Sequence, residues 1–118
     1  MPDKLVENTI PVLGVSDLLA SIHFYTDVLG FELSWGGESG STLCSMARDG
    51  SSLMLMVDEG NRNSCVWIGL ENDQLFEYVR RNGARIVQEP TNQPWAYEMR
   101  VADPDGNILW LGTEPQEQ

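Results

Sequence analysis

Few side chains in this sequence could do chemistry. There is one histidine, His23, two cysteines, Cys44 and Cys65, and four tryptophans, Trp35, Trp67, Trp95 and Trp110, among 18 acidic and 7 basic residues. Acid–base or nucleophilic catalysis needs a proton acceptor held against a partner. His23 falls inside a helical repeat, on the flank of its apolar stripe, which predicts a partly exposed surface imidazole. Cys44 and Cys65 are too far apart for a C-x-x-C unit and each lies in an apolar stretch, so both are expected to be buried free thiols. Glu98 could carry a proton, but the sequence shows no partner for it. The indoles suggest binding instead: a flat apolar ring stacks on a flat heteroaromatic ligand and attracts a cation over its face. Trp95, between Pro94 and Ala96 at the end of a polar loop, is expected to touch a ligand or a second subunit. For Trp67 and Trp110 the sequence leaves core packing and ligand contact open. Glu98, in the strand after Trp95, is either solvated or an anion for a ligand's cation. Met54 and Met56 alternate with Leu53, Leu55 and Val57 in a run apolar on both faces, which fits one face packed on a helix with the other lining a pocket and fits core packing alone about as well.

The formal charge is 7 − 18 = −11. With one lysine, Lys4, and six scattered arginines, the chain has no basic surface for the phosphates of nucleic acid or an anionic membrane. No run approaches the ~18 apolar residues of a membrane span, and Met1-Pro2-Asp3-Lys4 does not resemble a signal peptide, so the expectation is a cytoplasmic protein.

The elements that must position these residues are stated twice. Asn8 to Val15 reads as a strand, with Pro11 pushing it towards a sheet edge or an exchange between subunits. Ser16 and Asp17 offer caps for a helix striped by Leu18, Ile22, Tyr25 and Leu29 and closed by Gly30. Phe31 to Trp35 alternates as a strand. Thr42 to Ala47 and Ser52 to Val57 flank Asp49-Gly50 as a hairpin. After a polar linker at 58–64 the pattern restarts: strand Cys65 to Leu70, a helix capped by Asn72 or Asp73 and carrying Leu75, Phe76 and Val79, then Asn82-Gly83. A short strand Arg85 to Gln88, a loop Pro90 to Pro94, and strands Ala96 to Ala102 and Ile108 to Leu111 around Asp103-Pro104-Asp105-Gly106-Asn107 complete it. The predicted fold is α+β: one domain over 1–118, with two tandem βαβββ modules at about 8–57 and 65–112 forming a curved mixed sheet. One helix covers only one face of such a sheet, so the free faces of two modules side by side are expected to enclose a pocket.

This sequence resembles the vicinal oxygen chelate superfamily, which includes glyoxalase I, extradiol dioxygenases and the fosfomycin and bleomycin resistance proteins. The residues that carry the resemblance are Ile10-Pro11-Val12-Leu13, Val15-Ser16-Asp17-Leu18, the run Phe24 to Phe31, and Asp103 to Asn107. Ile10-Pro11-Val12-Leu13 and Gln93-Pro94-Trp95 ahead of Glu98 are most similar to the bleomycin resistance branch. Enzymes of the superfamily hold a divalent metal between facing strands, at positions that fall here on Ile10, the neighbourhood of Ser64 and Cys65, and Trp110. These residues cannot supply converging donors, so no metal or other cofactor is expected. The resemblance to the resistance branch implies a homodimer with exchanged N-terminal strands, hinged at Pro11, and shared clefts in which aromatic rings grip a bithiazole and acidic groups meet a cationic tail. Trp35 and Trp95 match aromatic positions of that cleft; Glu98, Trp67, Trp110, Met54 and Met56 complete the candidate site. The expected function is non-catalytic sequestration of a bleomycin-type antibiotic. The alternatives are a metal-dependent lyase, isomerase or dioxygenase and a divergent small-molecule binder.

Overall fold

The computed structural model describes residues 5–58, 60 and 63–117. Residues 1–4, with Lys4, and residues 59, 61 and 62 of the predicted linker lie outside them. The two-fold pattern is present element by element. The first module is β1 (Val12–Val15), α1 (Leu18–Asp27), β2 (Glu32–Gly36), β3 (Leu43–Arg48) and β4 (Ser51–Val57). The second is β5 (Cys65–Gly69), α2 (Gln74–Arg81), β6 (Arg85–Asn92), β7 (Tyr97–Ala102) and β8 (Ile108–Thr113). Each makes its own four-stranded sheet, ordered β1-β4-β3-β2 and β5-β8-β7-β6, with the first strand parallel to the last and the others antiparallel.

Local chemistry sets the element ends. Asp17 caps α1 by accepting from Ala20 N–H at 3.0 Å, and Gly30 at φ +77° turns the chain out. Asp73 makes no side-chain cap on α2; Asn72 accepts from Gln74 N–H at 2.9 Å instead. β1 begins only at Val12, because Pro11 has no N–H to give, although its carbonyl accepts from Met54 N–H at 2.9 Å. The predicted short strand at Arg85 is eight residues long and takes in Pro90. Its pairing with β7 shifts register after Ile86 and after Gln88, so Pro90 falls in an interrupted stretch where no ladder donor is required.

Both helices face one core. Leu13, Tyr25, Leu29 and Met46 of the first half and Val79, Met99, Leu109 and Leu111 of the second are fully or almost fully buried in a single cluster. The modules are locked by the turn between β7 and β8. Asp103 accepts from Tyr25 O–H at 2.8 Å and from Asn107 Nδ2 at 2.9 Å, while Asn107 Nδ2 also donates to the Gly14 carbonyl at 2.9 Å. Asp105 accepts from Ser16 N–H at 3.1 Å. Burial, then the Asp103 carboxylate, push the Tyr25 phenol well above its ordinary value, with Asp105 adding to the effect. No helix among the described residues is long and apolar enough to cross a membrane.

Candidate functional site

Strand alternation sends every second side chain away from the helix, so each sheet keeps one open face. On the first sheet the cross-strand row is Val12, Met54, Ser45 and Trp35. Met56 lies next to Met54 on that face, opposite Gly14 and Leu43. Trp35 is 46% exposed, and both methionines are half-buried. On the second sheet the corresponding row is Trp67, Trp110, Arg100 and Gln88. The predicted site residues are thus divided between two faces: Trp35, Met54 and Met56 on one, and Trp67, Trp110 and Glu98 on the other with Trp95 at its border.

The second face is organised around Glu98. This carboxylate is 1% exposed and accepts from Trp95 Nε1 at 2.7 Å on one oxygen and from Gln88 Nε2 at 3.0 Å on the other. Burial pushes its carboxyl up, but the bonds from Gln88 and Trp95, a weaker pull from the Trp110 indole and the Arg100 cation outweigh it, leaving Glu98 below the usual carboxylate range. The Trp110 N–H falls short of hydrogen-bond geometry and is buried without a partner. Glu98 is therefore neither a solvated carboxylate nor an open anion. It lies behind the aromatic surface and fixes the orientation of Trp95.

Next to it the indoles form a surface of their own. Trp67 and Trp110 meet edge to face, with ring centroids 5.1 Å apart, and the Arg100 guanidinium stacks on Trp110 at 4.6 Å. Gly69 and Gly112 allow Trp67 to lie over the sheet: a Cβ on Gly112 would overlap its ring, and one on Gly69 would come within 3.2 Å of its Nε1. Trp67 and Trp95, 46% and 61% exposed, flank a cleft of about 340 Å³ above these glycines, with Glu71 and Glu114 in its lining. A larger recess of about 1410 Å³ opens between α2 and the β3–β4 hairpin. It contains none of the predicted site residues, and two of its three arginines are engaged, Arg48 by the Leu29 and Gly30 carbonyls and Arg80 by Glu89. The smaller cleft is the candidate site.

Two sequence expectations are corrected. Cys65 is exposed, because it opens an edge strand with its side chain opposite Val66 and Ile68, which pack on the core; only Cys44 is buried, and burial pushes its thiol up. The two open faces do not line one pocket within the chain: neither recess takes in Trp35, Met54 or Met56. Within the chain β1 pairs with β4, and the Pro11 carbonyl accepts from Met54 N–H at the end of that ladder. Sequence reasoning missed Arg100, Gln88, Gly69 and Gly112. The alternation that put Glu98 in a strand puts Arg100 on the same face, and was a usable signal for it; the glycines carried none.

The metal that the fold implies does not fit these residues. Among the described residues no three His, Cys, Asp or Glu side chains come together to hold an ion. Trp110 occupies one of the expected ligand positions, with a guanidinium over its ring, and both oxygens of Glu98 are engaged. His23 is on the surface of α1, 3.8 Å from Asp27.

A protein-family model described as the Glyoxalase/Bleomycin resistance protein/Dioxygenase superfamily matches residues 9–111. Among solved structures, TioX from Micromonospora sp. ML1 is similar with 19% identity and a TM-score of 0.79, over 91% of this chain and 99% of that one. TnmS3, an antibiotic binding protein from Streptomyces sp. CB03234, is similar with 22% identity and a TM-score of 0.77, over 94% and 99%. VPC_CASS1, from the mobile metagenome of V. Pseudocholerae, has 20% identity and a TM-score of 0.76, over 98% and 100%. At these identities the likeness is one of fold. No curated protein matches the chain.

Proposed function

Because the chain belongs to the Glyoxalase/Bleomycin resistance protein/Dioxygenase superfamily, we propose that it is a non-catalytic binding protein that sequesters a planar, cationic antibiotic of the bleomycin type. The observation that carries this reading is the pair of exposed indoles, Trp67 and Trp95, facing a cleft above Gly69 and Gly112. Large rings left open to solvent at a cleft give up their exposed area to a flat ligand. Glu71 and Glu114, in the same lining, suit the ligand's cation, and the −11 charge of the chain favours its approach. The antibiotic binding named for TnmS3 supports the ligand class, not the particular drug.

The working unit in this reading is a homodimer. Each sheet presents an open face with exposed apolar residues, among them Val12 and Trp35 on the first and Trp67 on the second. A partner chain covering these faces turns the shallow cleft into an enclosed one, with Trp35, Met54 and Met56 of one protomer roofing the indoles of the other. An exchanged β1 hinged at Pro11 would form the same ladder with the partner's β4. The protein acts as a cytoplasmic sink for the drug, and no bond is made or broken.

Titrating bleomycin against intrinsic tryptophan fluorescence tests the proposal. Saturable quenching at micromolar drug, lost in Trp67→Ala, is the expected result. An unchanged spectrum at that concentration rejects this drug as the ligand.

A further inference from the structure

The open face of the second sheet carries a cation whose hydrogen-bond donors the protein itself leaves without acceptors. Arg100 is the only arginine both packed into the site and free of hydrogen bonds: among the described residues its guanidinium donates none. Its nearest carboxylate oxygen is on Glu98, 3.9 Å from Nη2, beyond hydrogen-bond reach and already taken by Gln88. The Arg100 Nε and Trp110 Nε1 donors beside it are both buried without an acceptor. Stacking on Trp110 holds the guanidinium in place, while its side chain remains 39% exposed on the open face. A fixed, planar, half-exposed fork of N–H donors with no acceptor is matched by a ligand oxygen that accepts two bonds at once.

Arg100 is paired with Trp110, and Trp110 with Trp67, so the guanidinium stands two strands from the cleft wall. Strands are spaced about 4.8 Å apart, giving a separation on the order of 10 Å, the length of two fused rings with one substituent. We propose that the ligand of this site carries an oxygen acceptor, a carboxylate, phenolate or ring carbonyl, on the end of its planar system that reaches Arg100. This rests on the proposed binding of a planar molecule between the indoles, and adds that the molecule is polar in a fixed sense. Its acceptor end lies on Arg100 and any cationic group lies at the opposite end, by Glu71 and Glu114.

Three matched probes separate this from the parent reading: naphthalene-2-carboxylate, naphthalen-2-ylmethanol and naphthalen-2-ylmethylammonium, which share a ring and differ in one group. Calorimetric titration of the full chain at low salt is expected to give about tenfold tighter binding for the carboxylate than for the alcohol, the size of a charge-assisted pair. In Arg100→Gln that preference falls to about onefold. Arg100→Lys, which keeps the charge and loses the fork, retains part of it. A carboxylate that binds no tighter than the alcohol, or a preference that survives Arg100→Gln, overturns the assignment. Binding of the ammonium alone, indifferent to Arg100, overturns it too, while leaving the planar-cation reading in place. If none of the three binds and bleomycin leaves the fluorescence unchanged, both readings fall.

Discussion

The β3–β4 turn and the β7–β8 turn hold the same place in their modules and do opposite things. Asp49 and Gly50, both at positive φ, close the first as a tight hairpin in solvent, where Asp49 makes only an exposed pair with Arg48. Asp103 to Asn107 close the second as a buried knot that reaches across to Gly14, Ser16 and Tyr25. The open faces differ in the same direction: valine, thioether and one indole on the first sheet, and two stacked indoles, an arginine and a buried carboxylate on the second. A repeated backbone has therefore not meant a repeated task. The second module carries the clasp and the polar part of the site, and the first supplies the surfaces they act on.

The sharpest way to break this comparison is at the turns. Asp103→Ala removes the acceptor of Tyr25 O–H, of Asp105 and Asn107 N–H, and of Asn107 Nδ2. It is expected to cost about 4 kcal/mol, seen as a large fall in the urea midpoint. Asp49→Asn, at the equivalent turn, is expected to stay within about 0.5 kcal/mol, because its pair is exposed and asparagine tolerates a positive φ. Equal losses at the two turns would mean that the second turn does not hold the modules together.

A smaller effect separates the faces. Trp67→Ala removes a cleft wall and the edge-to-face partner of Trp110, and is expected to weaken bleomycin binding at least tenfold in the fluorescence titration. Met56→Ala on the other face leaves that stack intact and is expected to change affinity by no more than about threefold. The reverse ranking would place the principal contacts on the first sheet.

The limits of the sequence follow from what each signal encodes. The modules were legible because their signals are local: Asp17 before an apolar stripe, Gly30 and Gly83 after one, Asp49-Gly50 between two strands. The face of most strand residues was legible as well, since side chains alternate, but not that of Trp35 or Gln88, which register shifts in β2 and β6 turn to the face opposite Leu33 and Ile86. What a residue does across the fold was not. Asp103 to Asn107 reads only as a turn, and nothing in the run says that its Asp meets Tyr25, 78 positions away. β6 extends past its expected end at Gln88 through a register shift and takes in Pro90. The expectation that Cys65 is buried failed because an apolar neighbourhood in sequence does not distinguish an edge strand from a central one. The site divided between two faces for a related reason: composition can count indoles, but only the register places Trp67 beside Trp110 and leaves Trp35 on the other sheet.

The smallest effect lies in the pH dependence of the clasp and sharpens the comparison at a single hydroxyl. Tyr25→Phe removes one donor to Asp103 and leaves the bonds from Asn107 Nδ2 and the turn amides, so its cost near neutral pH is expected to be about 1 kcal/mol. The folded state raises the Tyr25 pKa, through burial first and the Asp103 carboxylate second. Its stabilising effect is therefore fully present below the ordinary tyrosine value and is lost as pH rises through the raised one. Above about pH 10 the unfolded phenol ionises while the buried one resists, so wild type loses stability that the phenylalanine variant never had. Urea midpoints for the two proteins are expected to differ at pH 7 and to converge as pH passes 10. No gap at pH 7 would show that Tyr25 contributes packing alone, and that the clasp draws on the second module's own turn for all of its polar strength.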